Sequence, residues 1–229
     1  MFTLHRSRET TRRLLTCGLI GAPLFMTVAL VEGATRPGYN PWGDYVSKLA
    51  LSDQGWEQIT NFLVTGLLML GFALGAKRAM PSGRGSTWGP VLLGVYGTGL
   101  LLAGIFVIDP GNGYPVGVPA ETTLHGTLHT IFGAAAVFLT LPIACFVLSR
   151  RWTHGRSGKL WIAYSVATGV LMLAFFVGSW DGPLLGLYQR ISIALGWTWI
   201  VVLALRLRAA IDDSPAQPTT RSARVEAVA

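Results

Sequence analysis

Charge is scarce in this chain of 229 residues: 13% are Asp, Glu, Lys or Arg, 51% are hydrophobic, and the mean hydropathy is +0.49. Soluble globular domains carry about 25% charged residues and disordered segments are poor in apolar ones, so both classes are excluded for the bulk of the sequence. Cysteine is rarer still, and both Cys17 and Cys145 fall inside apolar runs. That excludes a disulfide framework and predicts two buried thiols. Of the four histidines, His5 and His154 lie outside the apolar runs, which leaves no pair on separate spans to hold a haem from both sides. Acidic residues number 11 against 18 basic ones. The basic residues cluster at the ends of apolar segments and build no soluble face, which excludes nucleic acid as a partner.

What the chain does have is apolar length. A helix rises about 1.5 Å per residue and the hydrocarbon layer is about 30 Å thick, so a span takes roughly 20 mostly apolar residues. Six stretches qualify: Leu14–Ala34, Glu57–Ala76, Trp88–Ile108, Leu124–Leu148, Leu160–Trp180 and Leu187–Leu207. The expected fold is all-α, a six-transmembrane-helix bundle over 14–208, between a short tail at 1–13 and a disordered tail at 209–229. Gly71-x-x-x-Gly75 suits close helix packing, and Pro23 and Pro142 should kink their spans. Arg12-Arg13 before the first run resembles a signal start, but the run is longer than a typical signal core and is read as a span.

Short cytoplasmic loops retain Lys and Arg. With the N-terminus in the cytoplasm, 15 of the 18 basic residues fall on the cytoplasmic side, and only Arg36, Lys48 and Arg190 fall outside. Both termini are accordingly expected in the cytoplasm. Fifteen arginines against three lysines suggest a GC-rich genome, and the expected setting is a bacterial cytoplasmic (inner) membrane with the lipid bilayer as surroundings.

In this topology polar side chains gather at the extracytoplasmic end: Glu32, Asp109 and Asp181 close spans one, three and five, His125 and His129 open span four, and Arg190 opens span six. Charges near apolar helices turn into the bundle or towards water. His125 and His129 stand four apart, on one helical face continued by Gly133. Two imidazoles so spaced could bind zinc, with Asp109 or Asp181 as a third ligand and a water in the fourth position. The alternative is that both donate hydrogen bonds to Asp109 and loop carbonyls, tying spans three and four together. Asp109-Pro110-Gly111-Asn112-Gly113 is a turn, which puts Asp109 at a helix C-terminus that asks for a cationic or metal partner, such as His125 or Arg190. Arg190 is expected to pair with Asp181 or Asp109, or else to bind a lipid phosphate.

The loop from Pro37 to Trp56 interleaves Tyr39, Trp42, Tyr45 and Trp56 with Asp44, Ser47, Lys48 and Asp53. It reads equally as an interfacial segment covering the outer mouth, with Ser52 or Asp53 capping span two, or as a solvated connector with belt aromatics. Ser47 is its one hydroxyl able to meet the histidines. Trp197 and Trp199 lie mid-span and read as packing groups.

Tyr45-x-Ser47-x-x-Ala50 with Gly55, then Asp109-Pro110, His125-x-x-x-His129, Gly186-Leu187-x-Gln189-Arg190 and Trp197, together resemble the multi-pass membrane proteins grouped as domain of unknown function 998. The resemblance spans roughly Gly18 to Leu207 and implies a membrane bundle of unestablished activity. A looser likeness to the alkaline ceramidase and progestin-receptor superfamily, which holds zinc in a seven-helix bundle, differs in helix count and in the place of the histidine pair. Two functional readings follow. One is an integral membrane protein that binds a lipid-like or small apolar ligand, or a partner, through the outer polar cluster of Ser47, Arg190 and Glu32. The other is a metal-dependent membrane hydrolase or transferase acting on a lipid-like substrate, with His125, His129, Asp109 and Asp181 around zinc. The span interiors offer no ionisable relay of the kind pumps use, which disfavours transport.

Overall fold

The computed structural model describes residues 2–213, and the described chain is all-helical. It comprises α1 (Phe2–Thr35), a 3-10 helix (Val46–Leu51), α2 (Gly55–Ala79), α3 (Trp88–Ile105), α4 (Leu124–Leu128), a π-helical turn (His129–Ala134), α5 (Ala135–Ser149), α6 (Gly155–Gly178) and α7 (Leu185–Asp212). The segment from Leu124 to Ser149 is one continuous span, so six helices are long and apolar enough to cross a membrane. The expected tail at 1–13 is helical from Phe2 onward, and α7 runs on to Asp212. The rest of the expected C-terminal tail, 214–229, lies outside the described residues. Helix continues through Pro23 and Pro142.

The spans pack in chain order into a closed ring, α1 against α2, α2 against α3, α3 against α5, α5 against α6, α6 against α7, and α7 back on α1. With an even number of spans the start of α1 and the end of α7 meet at one end of the ring, where Arg12 pairs with Asp212 at 3.2 Å and Arg208 donates to Thr16. The opposite end gathers the segments 36–54, 106–123 and 179–184.

Small residues set how closely the ring closes. At Gly75 an added Cβ would stand 2.9 Å from the Leu15 backbone nitrogen, and at Gly71 3.1 Å from the Cys17 sulfur, so the Gly71-x-x-x-Gly75 face is where α2 lies on α1. In lipid, where helices gain nothing by hiding apolar surface from one another, such backbone contact supplies the packing energy. Across the ring Trp161 and Trp199 stack at 5.7 Å, their indoles donating to the Leu148 carbonyl and the Ser165 hydroxyl. Trp199 is thus the packing group its position suggested. Cys17 and Cys145 are free thiols.

Gly75→Val should destabilise the bundle by about 1–3 kcal/mol, because the new side chain must push α1 off α2. Gly111→Ala, where a Cβ would meet nothing within 4 Å, should leave the thermal unfolding midpoint in detergent unchanged. Equal midpoints for the two variants would contradict the packing described.

Candidate functional site

The segment between α1 and α2 is not a solvated connector: it covers the mouth of the ring, and does so by folding into it. Tyr39, Asp44, Val46, Lys48, Leu49 and Ala50 are all buried. Trp42 and Trp56 remain 57% and 63% exposed, placed as belt aromatics.

Three buried cations hold this cap. Arg190, at the head of α7, donates to the carbonyls of Pro41 (2.7 Å), Asp44 (2.8 Å) and Gly186 (3.0 Å), and to the Tyr39 hydroxyl. The expected ion pair with Asp181 or Asp109 does not form, because the folded cap brings carbonyls to the guanidinium first. Asp181 is exposed and accepts from the Gly182 backbone in its own turn. Tyr39 donates on to the Asp44 and Tyr45 carbonyls, and burial pushes its phenol up to about 12 against the opposing pull of Arg190. Lys48 pairs with Asp44 at 2.9 Å and donates to the Gly111 carbonyl at 2.5 Å, which links the cap to the α3–α4 connection. Arg36 lies between Glu32 (3.4 Å) and Glu57 (3.2 Å) and also donates to Ser52 and to the Leu49 and Gln54 carbonyls. Ser52 is engaged in this way, and α2 begins after Gln54 with no side-chain cap from Ser52 or Asp53.

Two further bonds seat the cap on the last spans: Val46 N–H donates to the Gln189 side chain at 2.8 Å, and Tyr45 donates to the Ser179 carbonyl at 2.6 Å. Gly186 is required at its place, since a Cβ there would overlap the Asp44 backbone.

Asp109 takes a different role from the one expected. α3 ends at Ile105, so the carboxylate lies past that C-terminus and instead meets the start of α4. It accepts from the Thr123 hydroxyl (2.6 Å) and backbone N–H (2.9 Å), and Thr123 in turn caps α4 by accepting from Gly126 N–H. A helix N-terminus favours the negative charge that a C-terminus would repel. These two bonds, the hydroxyl's first, hold the Asp109 carboxyl below the usual range.

The histidine pair does share one side of its helix, since both rings meet Phe106. His125 is exposed and lies edge-on to the Phe106 ring at 5.5 Å, whereas His129 is buried and approaches its carbonyl. His129 Nδ1 lies 2.7 Å from the Phe106 oxygen and 3.2 Å from that of Ala103. Carbonyls only accept, so Nδ1 carries the proton, and in the neutral ring Nε2 is an acceptor. This is the tie between spans three and four, made by one histidine and without Asp109. Among the described residues no three His, Cys, Asp or Glu side chains are grouped to hold a metal ion. His125, His129, Asp109 and Asp181 thus do not form a zinc ligand set in this geometry.

Beneath the cap lies a cavity whose water-accessible core is about 30 Å³. Its ceiling is Val46 and Ser47 of the cap, its walls include Phe25, Phe62, Leu100 and Phe138, and its polar lining is His129, Gln189, Ser47, Tyr96 and Trp197, the last two packed edge to face at 5.5 Å. Trp197 is 2% exposed, and its indole N–H has no acceptor among the described residues. The π turn that begins at His129 forms one wall through Gly133 and Ala134. Such turns carry one residue more than an α-helical turn and recur at functional sites. Ser47 and His129 face the same cavity, though no hydrogen bond joins them. Glu32 lies elsewhere, in the Arg36 cluster, with Oε1 buried and unpartnered. Reading the sequence alone passed over Trp197, which looked like packing, and Arg36, Asp44, Lys48 and Tyr39, which looked like loop. Their signal was the rarity of basic residues on that side.

Residues 19–206 match the model of a family described as "Protein of unknown function (DUF998)". No curated protein and no solved structure matches the chain. Ser47 of the cap, His129 of the π turn, and Gln189 and Trp197 of α7, drawn from three separate stretches of the sequence, meet at the same cavity.

Lys48→Met should destabilise the protein by about 3–5 kcal/mol, because it strands the buried Asp44 carboxylate. Lys48→Met/Asp44→Leu should recover a large part of that loss in a double-mutant cycle of detergent unfolding. Strictly additive losses would remove the pair from the cap's stability. Gly126→Ala should separate Asp109 from Thr123, since its Cβ would overlap the carboxylate; faster hydrogen exchange at Thr123 and Gly126 is the expected readout.

Proposed function

We propose, for a chain that belongs to the family of unknown function DUF998, that the cavity beneath the cap binds a small apolar molecule carrying one acceptor oxygen. The observation that carries this reading is the unpartnered, buried indole N–H of Trp197, a residue that lines a cavity walled mainly by aromatic and aliphatic side chains. Leaving a buried donor unmade costs about 1–3 kcal/mol, a cost that an arriving carbonyl, ether or hydroxyl oxygen would relieve. His129 Nε2 and the Ser47 hydroxyl could accept from a hydroxyl on the same molecule. A core of about 30 Å³ is far below the roughly 300–1,000 Å³ of drug-sized sites, which argues for a small molecule or the narrow end of a lipid-like one.

In this reading the protein acts by binding within a multi-pass bundle. The capped end faces away from the cytoplasm and both termini lie in the cytoplasm of a bacterial inner membrane, because 15 of the 18 basic residues fall towards the end that holds the termini. A metal-dependent hydrolase or transferase would hold its metal on His125, His129 and one carboxylate, Asp109 or Asp181, and no such group of three forms among the described residues.

Native mass spectrometry of the detergent-purified protein should reveal a bound small molecule that is lost in both Ser47→Val and Ala134→Leu, which alter the ceiling and one wall. An adduct kept by both variants, or none in the unaltered protein, would sink the reading.

A further inference from the structure

α7 presents two different faces near its head. Gln189, Ile193 and Trp197 face the inner cavity, whereas Leu187, Arg190, Ile191 and Ala194 line a groove between α7 and α1 on the other side. The groove has a volume of about 420 Å³, and Met26, Leu30 and Gly33 form its α1 wall. From Met26 to Gly33 it follows α1 over eight residues, a rise of about 10 Å at 1.5 Å per residue. Its lining is apolar apart from Arg190, and Trp42 of the cap stands at its rim, 57% exposed.

Arg190 is a cation whose hydrogen-bonding acceptors are all neutral. Its four partners are three carbonyls and a phenol, and no ion pair among the described residues includes it. The Asp44 carboxylate, the nearest in the cap by sequence, is occupied by Lys48 and the Asn40 backbone. Carbonyl dipoles orient a guanidinium without cancelling its charge, and Nε makes no hydrogen bond within the described chain. Nη2 lies 3.6 Å from where a Cβ at Gly33 would stand, so the guanidinium edge meets the groove where glycine opens it. A net positive charge thus sits at the head of an apolar groove, at the depth that an exposed tryptophan marks as headgroup level.

We infer that this groove holds one anionic phospholipid of the leaflet at the capped end, its phosphate against Arg190 under Trp42 and one acyl chain along α1 and α7. Arginine suits a phosphate through paired N–H donors. The positive-inside bias leaves few cations on this side, so Arg190 selects among lipids that the other loops do not attract. The inference is independent of the ligand in the inner cavity.

The test is native mass spectrometry of the full chain released from mixed phosphatidylglycerol and phosphatidylcholine micelles. One tightly retained lipid should be phosphatidylglycerol by about fivefold over its share, the effect of a single basic side chain on an anionic headgroup. Ala194→Trp, which fills the groove from the α7 side without touching the cap's bonds, should bring the two lipids to parity; Leu30→Trp from the α1 side should do the same. Equal retention of both lipids by the unaltered protein, or an undiminished preference in both groove variants, would overturn the inference. Displacement of the lipid by inorganic phosphate alone would overturn the part assigned to the acyl chain. Ser47→Val and Ala134→Leu should leave the preference intact, which separates this site from the cavity beneath the cap.

Discussion

One guanidinium fixes the architecture of the capped end. Arg190 collects carbonyls from Pro41, Asp44 and Gly186 and the hydroxyl of Tyr39, and by doing so converts a connection between two spans into a folded element. An arginine on an apolar helix is costly unless water or protein dipoles surround it. Here the cap surrounds it, and the cap in turn has its backbone acceptors satisfied by the charge. Lys48 and Arg36 repeat the arrangement at the cap's other attachments, with carboxylates added. The three cations that depart from the charge bias of the loops are the three around which the cap is built.

The cavity follows from the cap. Val46 and Ser47 roof a space that the ring of helices would otherwise leave open to the headgroup region, and the Val46–Gln189 bond sets the height of that roof. The wall at the π turn depends on His129, whose protonated Nδ1 takes up the last carbonyls of α3 and leaves the opposite nitrogen an acceptor. Buried polar groups are usually satisfied, and an exception asks for an explanation. The unpaired Trp197 indole is such an exception, and Trp197 lines the cavity that the cap, the π turn and α7 share.

The spans were legible in the sequence because bilayer thickness converts directly into apolar length, and small residues such as Gly71 and Gly75 marked a packing face in advance. The gathering of polar side chains at one end was also legible. What each of them touches was not, and the reason is common to the misreadings. The sequence pairs Arg190 with the acids nearest in topology, Asp109 and Asp181, whereas two of its carbonyl partners, Pro41 and Asp44, lie more than 140 residues away in the chain. Asp109 was placed at a helix C-terminus because the apolar run extends to Ile108, whereas the helix stops at Ile105 and frees the carboxylate to meet Thr123. Composition records which groups must be buried with partners, but in a loop of 20 residues it does not record which way the backbone turns.

The bonds that close the cap join the first connection of the chain to its last span, with Val46 and Gln189 separated by 143 positions and Pro41 and Arg190 by 149. Spans enter a membrane in order from the N-terminus. While the first five are in place the segment 36–54 is held by Arg36 to Glu32 and Glu57, by Lys48 to Gly111 and by Tyr45 to Ser179, but lacks the anchors that Gln189 and Arg190 supply. Arrival of α7 is then the step that closes the ring, completes the seating of the cap and adds Gln189, Ile193 and Trp197 to the cavity wall. Without α7 the other spans would remain hydrophobic enough to insert but would lack the Gln189 and Arg190 anchors of the cap, so the mouth at that end of the ring depends on a helix far along the chain from the segment that covers it.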